Sequence, residues 1–183
     1  MIKYSILFIL LLLNSTQDDR LKKQFITKQG QVTFFSYTTV ENIQASNNTV
    51  YSIVDVETNE IAVSILMKAF EFKKSLMQSH FNESYIESDL HPKATFTGKI
   101  IDYDKNFDGI QTRIIKGDFT MRGISKSVEI KAQISKIDNN ITISGETQLM
   151  VEDYKINIPP ILRPNIADNI KVSFNLIHSL NEK

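Results

Sequence analysis

The feature that most constrains this chain is a long run of strict alternation between apolar and polar residues. Ile115, Gly117, Phe119 and Met121 alternate with Ile114, Lys116, Asp118 and Thr120. The pattern resumes with Val128, Ile130, Ala132 and Ile134 set against Ser127, Glu129, Lys131, Gln133 and Ser135. Successive side chains of a strand point to opposite faces, so this period of two predicts strands that are dry on one side. Between the two runs stands Gly123, which takes a positive φ without steric cost. The unit reads as a hairpin in a sheet that is wet on one face and apolar on the other.

The same periodicity predicts strands over Val32–Val40, Val50–Val56, Ile61–Phe72, Lys93–Tyr103, Ile141–Met150 and Ile170–His178. Asn42–Asn48 and Thr58–Asn59 are expected to break it. Over Lys73–Glu87 the alternation stops, and Met77, Phe81 and Tyr85 recur every four residues, the spacing of one helix face. Such a stripe serves either as a plug against a core or as a lid over a cavity. Val151–Asn169 contains Pro159, Pro160 and Pro164. That segment is too rigid and donor-poor for an inner strand and is expected to cross an end of the sheet. About eight strands with one inserted helix bury their apolar faces either as a two-sheet sandwich or as a barrel. Gly98, Gly117 and Gly145 on the inward faces of three strands favour the barrel, where they ease coiling or leave empty space. Relief of crowding in a filled core explains them as well.

A length of 183 residues suits one domain. Lys plus Arg and Asp plus Glu number 21 each with no basic cluster, which argues against a nucleic-acid partner. Met1–Gln17 reads as a signal peptide: Lys3, an unbroken apolar run from Ile6 to Leu13, then small polar residues. The run is too short to span a bilayer, so the processed protein is expected to be periplasmic or secreted and not integral to the membrane. Without cysteine it forms no disulfide and carries no lipid-modified cysteine. His80, His91 and His178 have no metal-ligand spacing, and no nucleophile elbow, phosphate loop or dinucleotide fingerprint is present. Neither an enzyme nor a cofactor is expected. Only His178 continues an inward face, at a strand end where its ring could sit at a rim. Asp104, Asn106, Asp108 and Gly109 match half of a calcium loop, but Ile115 stands where the bidentate glutamate belongs, and a turn at Asp108–Gly109 explains the same residues. Asn47, Asn82 and Asn140 head glycosylation triplets.

Four stretches in order resemble one known family. They are Val32–Ser36, the helical His80–Asp89, Pro92–Gly98 and the hairpin Gly117–Lys126. Together they resemble the YceI-like family, in the form met in bacteria of the Bacteroidetes type, over about Gly30 to His178. The resemblance implies an all-β fold, a single antiparallel lipocalin-like barrel, exported to the periplasm, whose long apolar cavity holds a polyisoprenoid or another amphiphilic chain. Family members often carry His or Lys where this chain has Arg122, so no role of that imidazole transfers.

The expected organisation is a signal peptide at 1–17, a polar lead-in at 18–29 and the barrel at 30–180. The expected activity is non-enzymatic carriage or sequestration of a long-chain amphiphile. Its lining residues are Val32, Phe34, Phe70, Phe96, Ile100, Phe119, Met121, Ile130, Ile143 and Phe174. Burying ~10 methylenes at ~0.8 kcal/mol each supplies about 8 kcal/mol before the cost of ordering the tail. The alternative is a structural or interaction barrel whose lumen is filled by the same side chains. An exposed edge strand would allow a homodimer.

Overall fold

The computed structural model describes residues 24–181, so the expected signal peptide lies outside the described residues. Nine strands follow one another: β1 Gln24–Tyr37, β2 Asn42–Asp55, β3 Glu60–Leu66, β4 Glu71–Phe72, β5 Lys93–Ile100, β6 Gly109–Met121, β7 Ile124–Ile137, β8 Asn140–Met150 and β9 Asn169–Leu180. The helix α1, Ser75–His80, runs on into a π turn over Phe81–Tyr85. Pairing is antiparallel in the order β1-β9-β8-β7-β6-β5-β3-β2, and β2 pairs back to β1. The sheet is therefore a closed barrel of eight strands, and β4 hangs on β2 through Ala45↔Phe72 and Ser46↔Glu71. Closure gives each of the eight a neighbour on both sides, but β7 and β8 pair only over Ala132–Ile137 and Asn140–Gly145, so Ile124–Lys131 and Glu146–Met150 are left as open edges across that seam.

The coiling that closure needs is visible at Gly98 and Gly117, which face each other across β5 and β6. A Cβ on Gly117 would stand 2.2 Å from the Thr97 carbonyl oxygen and 2.5 Å from the Gly98 Cα. The space is not empty, as the rings of Phe96 and Phe174 fold over Gly98, Gly117 and Gly145. The β6–β7 hairpin turns on Arg122 and Gly123, with φ of 51° and 73°. Two consecutive left-handed residues suit the twist of the flanking strands.

Several boundaries differ from the sequence expectation. β1 starts at Gln24, inside the stretch read as a lead-in, with Phe25 and Thr27 buried. Gly30 sits at a register shift rather than at a strand start. Asn42–Asn48 is strand, and the break is confined to 38–41, where the Thr38 hydroxyl donates to the Glu41 carbonyl at 2.9 Å. Asn47 is fully buried, with Nδ2 donating to the Leu66 carbonyl at 2.9 Å and Oδ1 accepting from the Thr49 amide at 2.9 Å. It is a structural bracket and is inaccessible to a glycosyl donor while folded. Ile61–Phe72 is bent by a 3-10 turn at Met67–Ala69, which carries the chain over the barrel end.

The two ends differ. The base carries the short connections 56–59, 101–108 and 138–139. The mouth carries 38–41, the helical stretch, the Arg122–Gly123 turn and the crossing 151–168, which spans an end as expected. Phe25, Val54, Ile100, Ile134, Ile141 and Ile143 fill the base.

Candidate functional site

Inward residues of the mouth half enclose an apolar cavity of about 440 Å³, bounded above by α1, the π turn and the crossing. Barrel strands supply Ile43, Val63, Leu149 and Val172. The helical stretch adds Met77, Phe81, Tyr85 and Ile86, and the crossing adds Tyr154, Ile156, Ile158, Leu162 and Ile166. Of the residues expected to line a lumen, Val32, Phe34, Phe70, Phe96, Phe119, Met121, Ile130 and Phe174 line this one. Ile100 and Ile143 do not; they are 1% and 0% exposed and belong to the filled base. Alternation identifies the inward face of a strand but carries no information about depth along it. The contribution of the crossing leaves one signal in the sequence, the period of two kept by Tyr154, Ile156 and Ile158.

The helical stripe is seated by an aromatic cluster. The Phe81 ring lies 5.4 Å from Phe34, 5.6 Å from Phe70 and 5.1 Å from Phe72, which anchors the π turn to the barrel wall. Met77, Phe81 and Tyr85 point into the cavity, so the stripe forms its roof. Polar groups gather at the rim. Lys74 Nζ meets Glu41 Oε1 at 2.6 Å, tying the helical segment to the β1–β2 turn. Arg122 ion-pairs with Glu87 and donates to the carbonyls of Tyr154 and Lys155. One guanidinium thus joins the hairpin, the segment after the helix and the crossing. Arg122, Glu87 and Lys155 all have left-handed backbones, with φ of 51°, 55° and 52°. Backbone conformations of this kind persist where surrounding contacts fix them.

Burial raises the phenol pKa of Tyr85, and at Tyr154 burial acts first and the neighbouring Asp153 second. Both phenols are neutral at pH 7. The wall therefore offers apolar surface and neutral hydroxyls, an environment that solvates a hydrocarbon chain and penalises a bare charge.

His178 is not at the rim. It is fully buried in the base, with Nδ1 3.1 Å from the Ile141 carbonyl and Nε2 2.9 Å from the Ser52 hydroxyl. A carbonyl only accepts, so Nδ1 carries the proton and Nε2 accepts from Ser52. Burial lowers its pKa from 6.5 to about 4, against the opposing pull of the Ile141 and Leu176 backbone. His178 and Arg122 occupy opposite ends and build no common polar site. In the loop read as half a calcium site, Asp104 Oδ1 accepts from the Asn106 amide at 2.9 Å, and buried Gln111 bonds both backbone groups of Asp104 at 3.1 and 2.8 Å. Among the described residues no three His, Asp or Glu side chains gather as a metal site.

The family model of the YceI-like domain matches residues 22–177. No curated protein matches the sequence. Among solved structures, a polyisoprenoid binding domain from Saccharophagus degradans, implicated in plant cell wall breakdown, superposes with a TM-score of 0.72 at 11% identity, covering 87% of this chain and 99% of that one. BcnA of Burkholderia cenocepacia gives 0.69 at 13% identity, covering 81% and 95%. The YCEI protein of Campylobacter jejuni gives 0.57 at 18% identity, covering 67% and 73%. At these identities the likeness to the solved structures is one of fold.

Proposed function

The chain belongs to the YceI-like domain family, and from that premise we propose that it binds a long-chain amphiphile, a polyisoprenoid or similar lipid, with the tail in the mouth cavity. It carries or sequesters this ligand without altering it. The observation that carries this reading is the cavity itself: about 440 Å³ enclosed by Phe, Ile, Leu, Val and Met side chains. That volume falls within the ~300–1,000 Å³ of small-molecule sites. A tail seated there gains ~0.8 kcal/mol per buried methylene.

A binding role rather than catalysis suits a wall whose shifted titratable groups, Tyr85 and Tyr154, are pushed away from ionisation. Neither offers a general base or nucleophile near neutral pH. The description of the Saccharophagus degradans domain as polyisoprenoid binding supports the ligand class. We further propose export to the periplasm or beyond through a signal peptide at Met1–Gln17, with the barrel domain taken from β1 at Gln24, ahead of the expected start at 30, to Leu180. Within the described residues no helix is long and apolar enough to cross a membrane.

Native mass spectrometry of protein gently extracted from its own host tests the reading. The expected result is a population heavier than the chain by one lipid, released by organic solvent. If that protein and a refolded sample offered long-chain isoprenoid alcohols are both empty, the carrier reading is lost.

A further inference from the structure

We propose that the seam between β7 and β8, and not the roofed mouth, is the doorway through which a hydrocarbon tail enters and leaves the cavity. The two strands pair only from Ala132↔Gly145 to Ile137↔Asn140. Toward the mouth β7 stays paired with β6 as far as Met121↔Ile124, and β8 with β9 as far as Met150↔Asn169. Each flank of the wall is therefore intact, and only the line between them is unpaired. Amides and carbonyls that point across this line have no strand partner among the described residues. Where β2 outruns β3, by contrast, Asn47 Nδ2 donates to the Leu66 carbonyl and β4 pairs with Ala45 and Ser46, which closes that junction.

The seam leads straight into the cavity. Val128 and Ile130 from one edge and Thr147 and Leu149 from the other all line it, and all four are half-buried. Val32, Phe96 and Ile115 line the same cavity from stretches paired on both sides, and they are buried. Toward the mouth the gap ends at the turn Glu152–Tyr154, where Asp153 Oδ1 meets Lys126 Nζ at 3.0 Å and the Tyr154 ring packs edge-on at 5.7 Å from Phe119. Below that turn, parting the strands further breaks no sheet hydrogen bond. Entry through the roof must instead lift Phe81 off Phe34, Phe70 and Phe72 and separate Lys74 from Glu41. Local opening takes the route that breaks the fewest contacts. The use of the doorway rests on the carrier reading above; the gap itself is a property of the sheet.

The chain has no cysteine, so thiols can be introduced in pairs without interference. Continued toward the mouth, the register of Ala132↔Gly145 sets Glu129 opposite Gln148, both exposed on the outer face. Glu129→Cys with Gln148→Cys, tied by a short reducible bismaleimide, staples the seam, and Glu41→Cys with Lys74→Cys staples the roof. Uptake of a fluorescent long-chain isoprenoid alcohol is followed by stopped flow before tying, after tying and after reduction. The seam staple should slow uptake about tenfold or more, reversibly, and the roof staple by less than about twofold, as expected if passage is gated at the seam. Hydrogen exchange of the ligand-free protein gives a reading independent of uptake: alternate amides between Ser125 and Ile130 should exchange about a hundredfold faster than those of Gln133–Ser135. Uptake that the seam staple leaves unchanged, or that the roof staple slows as much, overturns the doorway and leaves the carrier reading intact. Equal protection along the whole of β7 overturns the doorway whatever the uptake shows. Untied wild type that takes up no probe removes the carrier reading and the doorway with it.

Discussion

Along β7 the inward residues Val128 and Ile130 are half-buried, whereas Ala132 and Ile134, further along the same face, are each 1% exposed. β8 and β9 show the same gradient: Thr147, Leu149, Val172 and Phe174 are partly open, and Ile141, Ile143 and His178 are closed. One set of strands thus builds a solid base and a hollow mouth. Phe96 and Phe174 stand where the two meet, together with Ile61, Ile115 and Ile130, which likewise pack in or against the base cluster and line the cavity. At the base, short turns let opposite walls meet side chain to side chain. At the mouth, the helical stretch and the proline-rich crossing span the opening and hold the walls apart. The inward pattern sets polarity at both ends, and the connections decide which end is filled.

The comparison breaks most visibly if truncation costs the same at both ends. Ile143→Ala should lose about 4 kcal/mol, because its neighbours in the base cannot collapse onto the gap. Ile130→Ala, which enlarges an existing cavity, should lose about 1 kcal/mol. Urea unfolding of the two variants reads the difference directly, and equal losses would remove the distinction between base and mouth.

Acid sharpens it next. His178 has a folded pKa of about 4 against 6.5 when free. Above pH ~6.5 both folded and unfolded rings are neutral and the stability is fully present. Between there and pH ~4 only the unfolded chain takes up the proton, so stability falls as pH falls, by roughly 3 kcal/mol across the window. Denaturation at pH 7 and pH 4 measures the fall, and imidazole NMR should show no protonation of this ring at pH 6. A ring titrating near 6.5 would mean that the base is wet.

Enlarging a side chain separates the ends in the opposite sense. Ile130→Phe extends into open space and should change stability by less than about 1 kcal/mol while reducing isoprenoid uptake roughly tenfold. Ala132→Phe, two residues on, overpacks the base and should cost ~3 kcal/mol. Tryptic stability and uptake measured on both variants decide the matter. The smallest effect is expected from Arg122→Ala. It unties three mouth segments from one partly exposed guanidinium, so about 1 kcal/mol of global stability should be lost. Hydrogen exchange should rise at 85–91 and 151–156 and stay unchanged in the base.

Much of this architecture is legible in the sequence because one inward face and one outward face leave an unbroken period of two. β6, β7, β8 and β9 are found that way, and the Arg122–Gly123 turn follows from the glycine. What escapes is whatever depends on partners distant in sequence. Asn42–Asn48 reads as a break because its polar residues look like loop, but Asn47 is buried by bonds to Leu66 and Thr49 that no local pattern announces. Gln24–Gln29 looks like a polar lead-in because its exposed positions are strongly polar, yet Phe25 and Thr27 face the base. Ile100 and Ile143 are indistinguishable from Phe96 and Ile130 by periodicity, since depth along a strand is set by closure and by what roofs each end. The roof residues Tyr154, Ile156 and Ile158 hide in a segment whose prolines draw attention to its rigidity rather than to its apolar face.

The most direct measurement is a crystal structure of the protein saturated with a long-chain isoprenoid alcohol. The account predicts a continuous tail between Phe81, Ile130, Val172 and Tyr154, ending above the rings of Phe96 and Phe174, with the base unchanged. A tail threaded past those rings among Ile134, Ile141 and Ile143, or a saturated crystal with an empty mouth, contradicts it.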